Sequence, residues 1–179
     1  MHFLPLTFAA PLLGFLILAF ARGRISENLA AIIGVGSIGI SALTAGFAGW
    51  QFLHAPPEGG AYSLLLWQWM SVGNFNPSFT LRLDALSLTM LGVITGVGFF
   101  MRGDEGFARF FSYMNLFVAS MLFLVLGDNL LFLYFGWEGV GLASYLLIGF
   151  WYQDPANGAA ARKAFVITRV GDTFMAIAP

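Results

Sequence analysis

The chain has 179 residues, of which 59% are hydrophobic and only 9% are charged, and its formal net charge at pH 7 is −1. This composition is typical of membrane proteins, and its 8 scattered basic residues exclude the basic surface of a nucleic-acid-binding protein. The absence of cysteine excludes disulfides, thiolate metal sites and iron–sulfur ligation by this chain. We therefore expect an all-α polytopic membrane protein whose partners include the lipid bilayer and no nucleic acid.

Apolar segments predict about six transmembrane helices. The first covers about Phe3–Phe20 and has no basic stretch before it, so we predict a spanning helix rather than a cleaved signal. The second covers about Leu29–Leu53, and Ser26 or Asn28 is suited to cap its start. Its many glycine, alanine and serine residues predict close packing against a neighbouring helix.

The stretch His54–Arg82 differs from the apolar segments on either side. The alternation in Phe79–Leu83 has the period of a β-strand, and Gly73–Asn74 is suited to a tight turn. Trp67 and Trp69 are typical of the membrane–water interface. We predict a short β-hairpin at the membrane surface, between the second and third helices.

Four further segments follow the hairpin. The third, about Leu83–Phe100, would be about 27 Å long as a helix and barely spans a bilayer of about 30 Å. The fourth covers about Phe110–Leu126 and the fifth Leu130–Tyr152. Pro155 and its neighbours predict a loop over QDPANG, so the sixth segment is expected to begin near Ala159 and to reach the last residue.

The basic residues predict an orientation. By the positive-inside rule, the side of the membrane that holds most of them is the cytoplasm. The N-terminus and the hairpin are then extracytoplasmic, and Arg82 at a helix edge is the exception among the loops. The residues assigned to the cytoplasmic side are Arg22, Arg24, Arg102, Arg109, Arg162 and Lys163.

Glu138 is the main candidate for chemistry, because it lies inside the fifth apolar segment. Its position is about 12 Å into the membrane, where an unpaired carboxylate costs about 2.5 kcal/mol or more. One interpretation is a proton-transfer residue that alternates between a protonated and an ionised form. The other is a carboxylate that bonds to a neighbouring helix and only holds the bundle together.

Arg169 and Asp172 form a second candidate in the sixth segment. Three residues apart, they lie on one helix face and are close enough to pair. The pair is either functional or simply self-neutralising, because an ion pair within one helix lowers the cost of inserting that helix. The sequence contains no glycine-rich phosphate loop, paired-histidine metal motif or nucleophile triad.

Several stretches together resemble the L subunit (subunit 5) family of respiratory complex I, the NADH:quinone oxidoreductase, and more distantly the large subunit of multisubunit sodium/proton antiporters. The combination of WEGVGL, SYLLIGF, KAF and TRVGD is the most specific part. The matching stretches cover nearly the whole chain: RGRISENLAAIIGVGS, WMSVGNFN, LRLDALSLTMLGVITGVGF, MRGDEGFARFF, DNLLFLYFGWEGVGLASYLLIGF and NGAAARKAFVITRVGD.

The resemblance implies a proton-pumping membrane subunit of the inner (plasma) membrane whose partners are the other membrane subunits of the complex. Glu138 would be a key proton-channel residue that pairs with a lysine on a later helix, and Asp172, near Arg169, would also be functional. The chain would bind no cofactor itself, since NADH, flavin, iron–sulfur clusters and quinone belong to other subunits. The hairpin of the family lies on the outer face and contacts neighbouring subunits.

Two departures from the family pattern keep other functions open. Family members are several times longer, so residues 1–179 resemble a single transmembrane bundle at the N-terminal end of a longer antiporter-like subunit, without the lysine partner. The family also has several more residues between Phe100 and Met101. The alternatives to a proton-pumping subunit are a truncated, non-transporting membrane or assembly fragment, and the large subunit of a sodium/proton antiporter.

Overall fold

The computed structural model describes residues 3–21, 24–57, 59–69, 76–100 and 106–177. Within these ranges the chain forms six helices and one antiparallel sheet of two strands, which confirms the predicted helical architecture with a hairpin after the second helix. In chain order the elements are α1 (Leu4–Ala21), α2 (Glu27–His54), β1 (Ala61–Gln68), β2 (Ser78–Asp84), α3 (Ala85–Phe100), α4 (Phe107–Leu126), α5 (Leu130–Ile148) and α6 (Pro155–Ile177).

Four helices in the described part of the chain are long and apolar enough to cross a membrane: α1, α2, α4 and α5. Helix α3 has 16 residues, about 24 Å, which is shorter than a typical bilayer core. Helix α6 has 23 residues but does not meet the same test of length and apolarity, and it carries Arg162, Lys163, Arg169 and Asp172. That α3 and α6 also span the membrane stays a prediction.

Helix α2 packs closely through its small residues, as predicted. The side chain of Ser26 caps its start by accepting a hydrogen bond from the Leu29 amide at 3.4 Å. A Cβ atom at Gly34 would come within 2.7 Å of the Phe111 side chain, and one at Gly49 within 3.1 Å of Leu88. Glycine therefore sets the distance from α2 to α4 and to α3.

Asn115 of α4 is fully buried where α4 meets α2. Its Oδ1 atom accepts a hydrogen bond from the Ser37 hydroxyl at 2.6 Å, and its amide group donates to the carbonyls of Gly34 (3.1 Å) and Phe111 (2.8 Å). Both ends of the amide are thus satisfied, as burial of a polar group requires. The sequence analysis missed this contact, since a single asparagine in an apolar helix has no distinctive spacing.

The hairpin is longer than predicted at its second strand. In the register Ala61 lies opposite Asp84, so Leu83 and Asp84 belong to β2 and not to the third helix. Asp84 ends the strand by accepting a hydrogen bond from the Ser87 amide (2.8 Å), and this bond and that from the Ser87 hydroxyl hold the pKa of Asp84 below its ordinary value. The predicted turn at Gly73–Asn74 lies outside the described residues.

The hairpin rests on the turn between α4 and α5. The Asp128 amide donates to the Thr80 carbonyl at 3.2 Å, and the Asn129 side chain donates to the Ser78 carbonyl at 2.6 Å. Asn129 also caps α5 by accepting from the Phe132 amide at 2.9 Å. These bonds place the start of α5 at the hairpin end of the bundle.

The start of α6 corrects a prediction. The helix begins at Pro155 rather than near Ala159, so the segment PANG is its first turn and not a loop. Proline is favoured at the first helical position because its missing N–H has no helical acceptor there. Asp154 supports this start by accepting a hydrogen bond from the Ala156 amide at 2.9 Å.

Two of the basic residues assigned to the cytoplasmic side, Arg24 and Arg109, lie at the end of the bundle opposite the hairpin. Arg109, in the first turn of α4, donates to the Phe150 carbonyl at 3.0 Å and so ties α4 to the end of α5. Arg162 and Lys163 lie on α6, as the predicted start near Ala159 implied, and because the helix starts earlier they are about 10 Å from its start. Arg22 and Arg102 lie outside the described residues.

Candidate functional site

Helices α5 and α6 contact each other and are joined by the short connection 149–154. Glu138 is about 12 Å from the start of α5, at the hairpin end. Arg169 is about 21 Å from the start of α6, at the opposite end. Because α5 and α6 start at opposite ends of the bundle, two residues at one level have distances from their helix starts that add to about the thickness of the bundle. For Glu138 and Arg169 these distances add to about 33 Å, close to the thickness of a bilayer core, so both residues lie at the same level.

Arg169 pairs with two carboxylates at this level. One of its Nη atoms forms an ion pair with the Glu138 carboxylate, and its Nε atom lies 3.3 Å from Oδ2 of Asp172. The other Nη lies 3.5 Å from the Glu138 carbonyl oxygen. The predicted pairing of Arg169 with Asp172 is confirmed, and the structure adds Glu138, which the sequence analysis had not connected with them.

The three charged side chains differ in their exposure. The Asp172 side chain is 6% exposed, whereas those of Arg169 and Glu138 are 28% and 30% exposed. One guanidinium therefore faces one buried carboxylate and one that is partly exposed at the surface of the bundle. With both acids ionised the cluster carries an unbalanced negative charge, and a single proton on either acid would balance it.

Trp137 completes the cluster, and the sequence analysis missed it. Its indole Nε1 donates a hydrogen bond to Oδ1 of Asp172 at 2.7 Å. The signal available in the sequence was only its position next to Glu138, because the tryptophans of an apolar chain are expected at interfaces. Two consecutive residues of α5 thus contact two residues that lie one turn apart on α6.

Gly141 makes room for Arg169. A Cβ atom at this position would collide with a guanidinium nitrogen of Arg169, so no larger residue fits without moving that side chain. On the other side, the guanidinium lies 4.7 Å from the centre of the Phe165 ring, within the range of a cation–π interaction. The position of Arg169 is therefore fixed from α5 and from its own helix.

Two cavities border the cluster, one at Glu138 and the other at Trp137 and Asp172. One, of about 520 Å³, extends from the hairpin to Glu138, and its lining includes Trp67, Asn129 and Phe135. The other, of about 250 Å³, extends from Trp137 and Asp172 to Ile148, the last residue of α5. Space along α5 thus reaches Glu138 from the hairpin end and Asp172 from the opposite end.

No group of three or more histidine, aspartate or glutamate side chains in the described ranges is arranged to hold a metal ion. The arrangement at Arg169 is instead an ion-pair cluster that lies in the middle of two helices. A cluster of this composition can pair charges, and its carboxylates are groups that can bind and release a proton.

Family models match two parts of the chain. Residues 127–179 match "NADH:quinone oxidoreductase/Mrp antiporter, TM", and residues 69–111 match "NADH-Ubiquinone oxidoreductase (complex I), chain 5 N-terminus". The first match contains Glu138, Arg169 and Asp172.

Relatives described as NADH-quinone oxidoreductase subunit L match almost the whole chain. The protein from Pseudomonas aeruginosa is 67% identical over 184 residues, which cover 98% of this chain, and the protein from Escherichia coli K12 is 61% identical over 186 residues, which cover 99%. The chain spans about 30% of the length of each. Both alignments are longer than the 179 residues of this chain, so the relatives contain residues without a counterpart here. That these lie between Phe100 and Met101 stays a prediction, since Met101 is outside the described residues.

A solved structure has the same fold. It is titled "Structure of the membrane-bound sulfane sulfur reductase (MBS), an archaeal respiratory membrane complex", and the TM-score is 0.72 at 20% identity over 97% of this chain and 26% of that one. At this identity the likeness establishes the fold alone.

Proposed function

Because the chain belongs to the family of NADH-quinone oxidoreductase subunit L, we propose that it forms part of a proton-translocating membrane subunit in which Glu138 takes up and releases the transported proton. Arg169 takes part by pairing its charge with Glu138, and Asp172 takes part by pairing with Arg169. Quinone reduction elsewhere in the complex drives the transport, and NADH, flavin, iron–sulfur clusters and quinone are bound by other subunits. The partners of this chain are the other membrane subunits of the complex, the lipid bilayer and protons.

One observation carries this proposal: Arg169 pairs with both Glu138 and Asp172, between cavities that reach opposite ends of α5. An acid in the middle of a membrane is costly and is mostly kept where ions or protons pass. Two carboxylates that share one guanidinium hold a proton at small cost, because the proton balances the charge of the cluster. A cluster with this property, and with a cavity on each side, is suited to pass a proton along α5.

The orientation proposed for this function follows the basic residues. The end with Arg24 and Arg109 faces the cytoplasm, and the N-terminus and hairpin lie outside, in a chain that crosses the inner membrane several times. Protons then pass between the hairpin side and the cytoplasmic side of the cluster.

The test is Glu138→Gln in the full-length subunit, assembled in its complex. We expect proton pumping per electron transferred to fall by about tenfold or more, because glutamine retains the shape but cannot exchange the proton. Pumping is measured in sealed membrane vesicles during quinone reduction, with the amount of assembled complex determined in parallel. The matched control is Glu27→Gln, an exposed glutamate in the first turn of α2. Unchanged pumping by Glu138→Gln in a normally assembled complex would contradict the proposal.

Two alternative functions can be tested separately. The family model over residues 127–179 also includes Mrp antiporters, which favours an antiporter subunit. Sodium-dependent proton exchange without quinone-linked activity would establish that alternative. The second alternative is a non-transporting membrane or assembly fragment. Liposomes that contain only residues 1–179 would then show no proton flux above that of empty liposomes.

A further inference from the structure

The hydrogen bond between Trp137 and Asp172 has no role in the function proposed so far. It closes a chain of contacts that runs from Trp137 to Asp172, from Asp172 to Arg169, and from Arg169 to Glu138. Because Trp137 and Glu138 are neighbours in α5, this chain of contacts returns to the residue next to its starting point. Every link joins side chains whose positions on two helices are fixed.

We propose that Trp137 is a positioning residue: its indole N–H holds Asp172 in place, so that Arg169 lies against Glu138. This inference rests on the proposed function of Glu138 and names a group that controls its counter-ion. The ring of Trp137 touches neither Glu138 nor a transported proton in this role. It acts through Asp172 and Arg169.

The geometry of Asp172 is the first argument. Its two oxygens have different contacts. Oδ1 accepts the indole hydrogen bond at 2.7 Å. Oδ2 lies 3.3 Å from Arg169 Nε, but the two atoms are not aligned for a hydrogen bond. The direction of the Asp172 carboxylate is therefore set by Trp137 and not by Arg169. Without the indole N–H, Asp172 is free to turn toward the guanidinium and to compete with Glu138 for it.

The exposure of the two residues is the second argument. Asp172 is 4% exposed, and a buried carboxylate needs hydrogen bonds as well as a counter-ion. Trp137 is 46% exposed, so much of its ring lies outside the packed interior of the bundle. The N–H group of Trp137, rather than the burial of its ring, therefore connects this residue to α6.

The experiment separates the N–H group from the ring by two substitutions in the full-length, assembled subunit. Trp137→Phe keeps an aromatic ring but has no N–H. Trp137→His has a smaller ring but keeps an N–H at the equivalent ring atom. Trp151→Phe is the control, because Trp151 is 61% exposed at the end of the same segment and packs edge-on against Phe150. The measurement is the ratio of protons pumped to electrons transferred, together with the amount of assembled complex.

We expect Trp137→Phe to lower the ratio about twofold or more, since the loss of a hydrogen bond to a charged group shifts a conformational equilibrium by about tenfold. Trp137→His should restore part of the ratio that Trp137→Phe loses, and Trp151→Phe should keep the ratio. In an Asp172→Ala background, Trp137→Phe should have no further effect, because its action runs through Asp172. A ring with a merely structural role would lower the amount of complex and leave the ratio unchanged.

Four results would overturn the inference: an unchanged ratio in Trp137→Phe, an equal loss in Trp137→His and Trp137→Phe, a further loss in the Asp172→Ala background, or failure of both Trp137 variants to assemble while Trp151→Phe assembles. Glu138→Gln is measured alongside. If that variant lowers pumping and Trp137→Phe does not, only the positioning role fails. If Glu138→Gln also leaves pumping unchanged, the proposed function fails with it.

Discussion

At the scale of single residues, the site depends on one arginine that serves two acids. Arg169 pairs with Glu138 on one helix and with Asp172 on its own helix. Removing one partner of a buried pair is strongly destabilising, by about 3–5 kcal/mol, because the remaining charge loses its compensation. The 28–30% exposure of the Arg169 and Glu138 side chains reduces this cost for them, whereas Asp172 remains dry.

Gly141 offers a specific test of where Arg169 lies, because it has no side chain and the guanidinium occupies that space. Gly141→Ala adds one methyl group where the guanidinium of Arg169 lies, so we expect Arg169 to move away from Glu138 and pumping per electron to fall about twofold or more. The measurement is the pumping ratio in sealed vesicles. Gly171→Ala on α6 is the control, since nothing lies within 4 Å of its added Cβ, and it should pump normally. Equal behaviour of the two variants would show that the space at Gly141 is not required.

At the scale of elements, α4 and α5 approach each other at Gly136. A Cβ atom there would lie 2.5 Å from the Leu124 backbone nitrogen and 2.7 Å from its Cα. One turn further along, Gly139 faces Ser120, whose hydroxyl would lie 2.5 Å from an added Cβ. The face of α5 that packs on α4 thus includes two glycines at its closest approach, while Trp137 and Glu138 contact α6 and line the cavities.

Gly136→Ala should therefore separate α4 from α5. Because the obstacle is backbone, it cannot move aside as a flexible side chain would, and we expect a loss of about 1–3 kcal/mol in the free energy of unfolding. Unfolding of the purified protein in detergent, titrated with denaturant, measures this loss.

The control for this change is Gly92→Ala in α3, where nothing lies within 4 Å of the added Cβ. That variant should be neutral or slightly stabilising, because alanine favours a helix over glycine by up to about 1 kcal/mol. A Gly136→Ala protein as stable as Gly92→Ala would contradict the packing described here.

At the scale of the whole molecule, the hairpin and the starts of α3 and α5 lie at one end, and the starts of α2, α4 and α6 at the other. Arg82 pairs with Asp128 at the hairpin end, at 3.5 Å, so its charge is compensated there. Arg24 and Arg109 lie at the opposite end. This division agrees with the predicted orientation, which remains a prediction because the bundle alone does not fix its direction in a membrane.

Single cysteines test the orientation directly, because the chain has none of its own. Ser63→Cys places a thiol on the exposed side of β1, and Gln153→Cys places one on the exposed connection before α6. In intact cells, we expect a membrane-impermeant maleimide to label Ser63→Cys and not Gln153→Cys. Permeabilised cells, in which both should react, provide the control. Labelling of Gln153→Cys alone in intact cells would reverse the orientation.

The sequence by itself determined the helices, the hairpin and the three charged residues of interest, Glu138, Arg169 and Asp172. Each of these depends on local patterns: the length of an apolar run, the alternation in Phe79–Leu83, and the spacing of Arg169 and Asp172 within one helix. The predicted start of α6, near Ala159, was wrong because Pro155 is compatible both with a loop and with a first helical turn. The hydrogen bond from the Ala156 amide to Asp154 accompanies the second arrangement.

Only the tertiary structure decided which residues meet. Arg169 contacts Glu138 across 31 positions of sequence, Trp137 reaches Asp172 across 35, and Ser37 reaches Asn115 across 78. Such contacts depend on the rotation and height of each helix against its neighbour, and these are set by packing at positions such as Gly136 and Gly141. The sequence therefore indicated a charged site in the membrane, whereas the packing of α5 on α6 decided its partners.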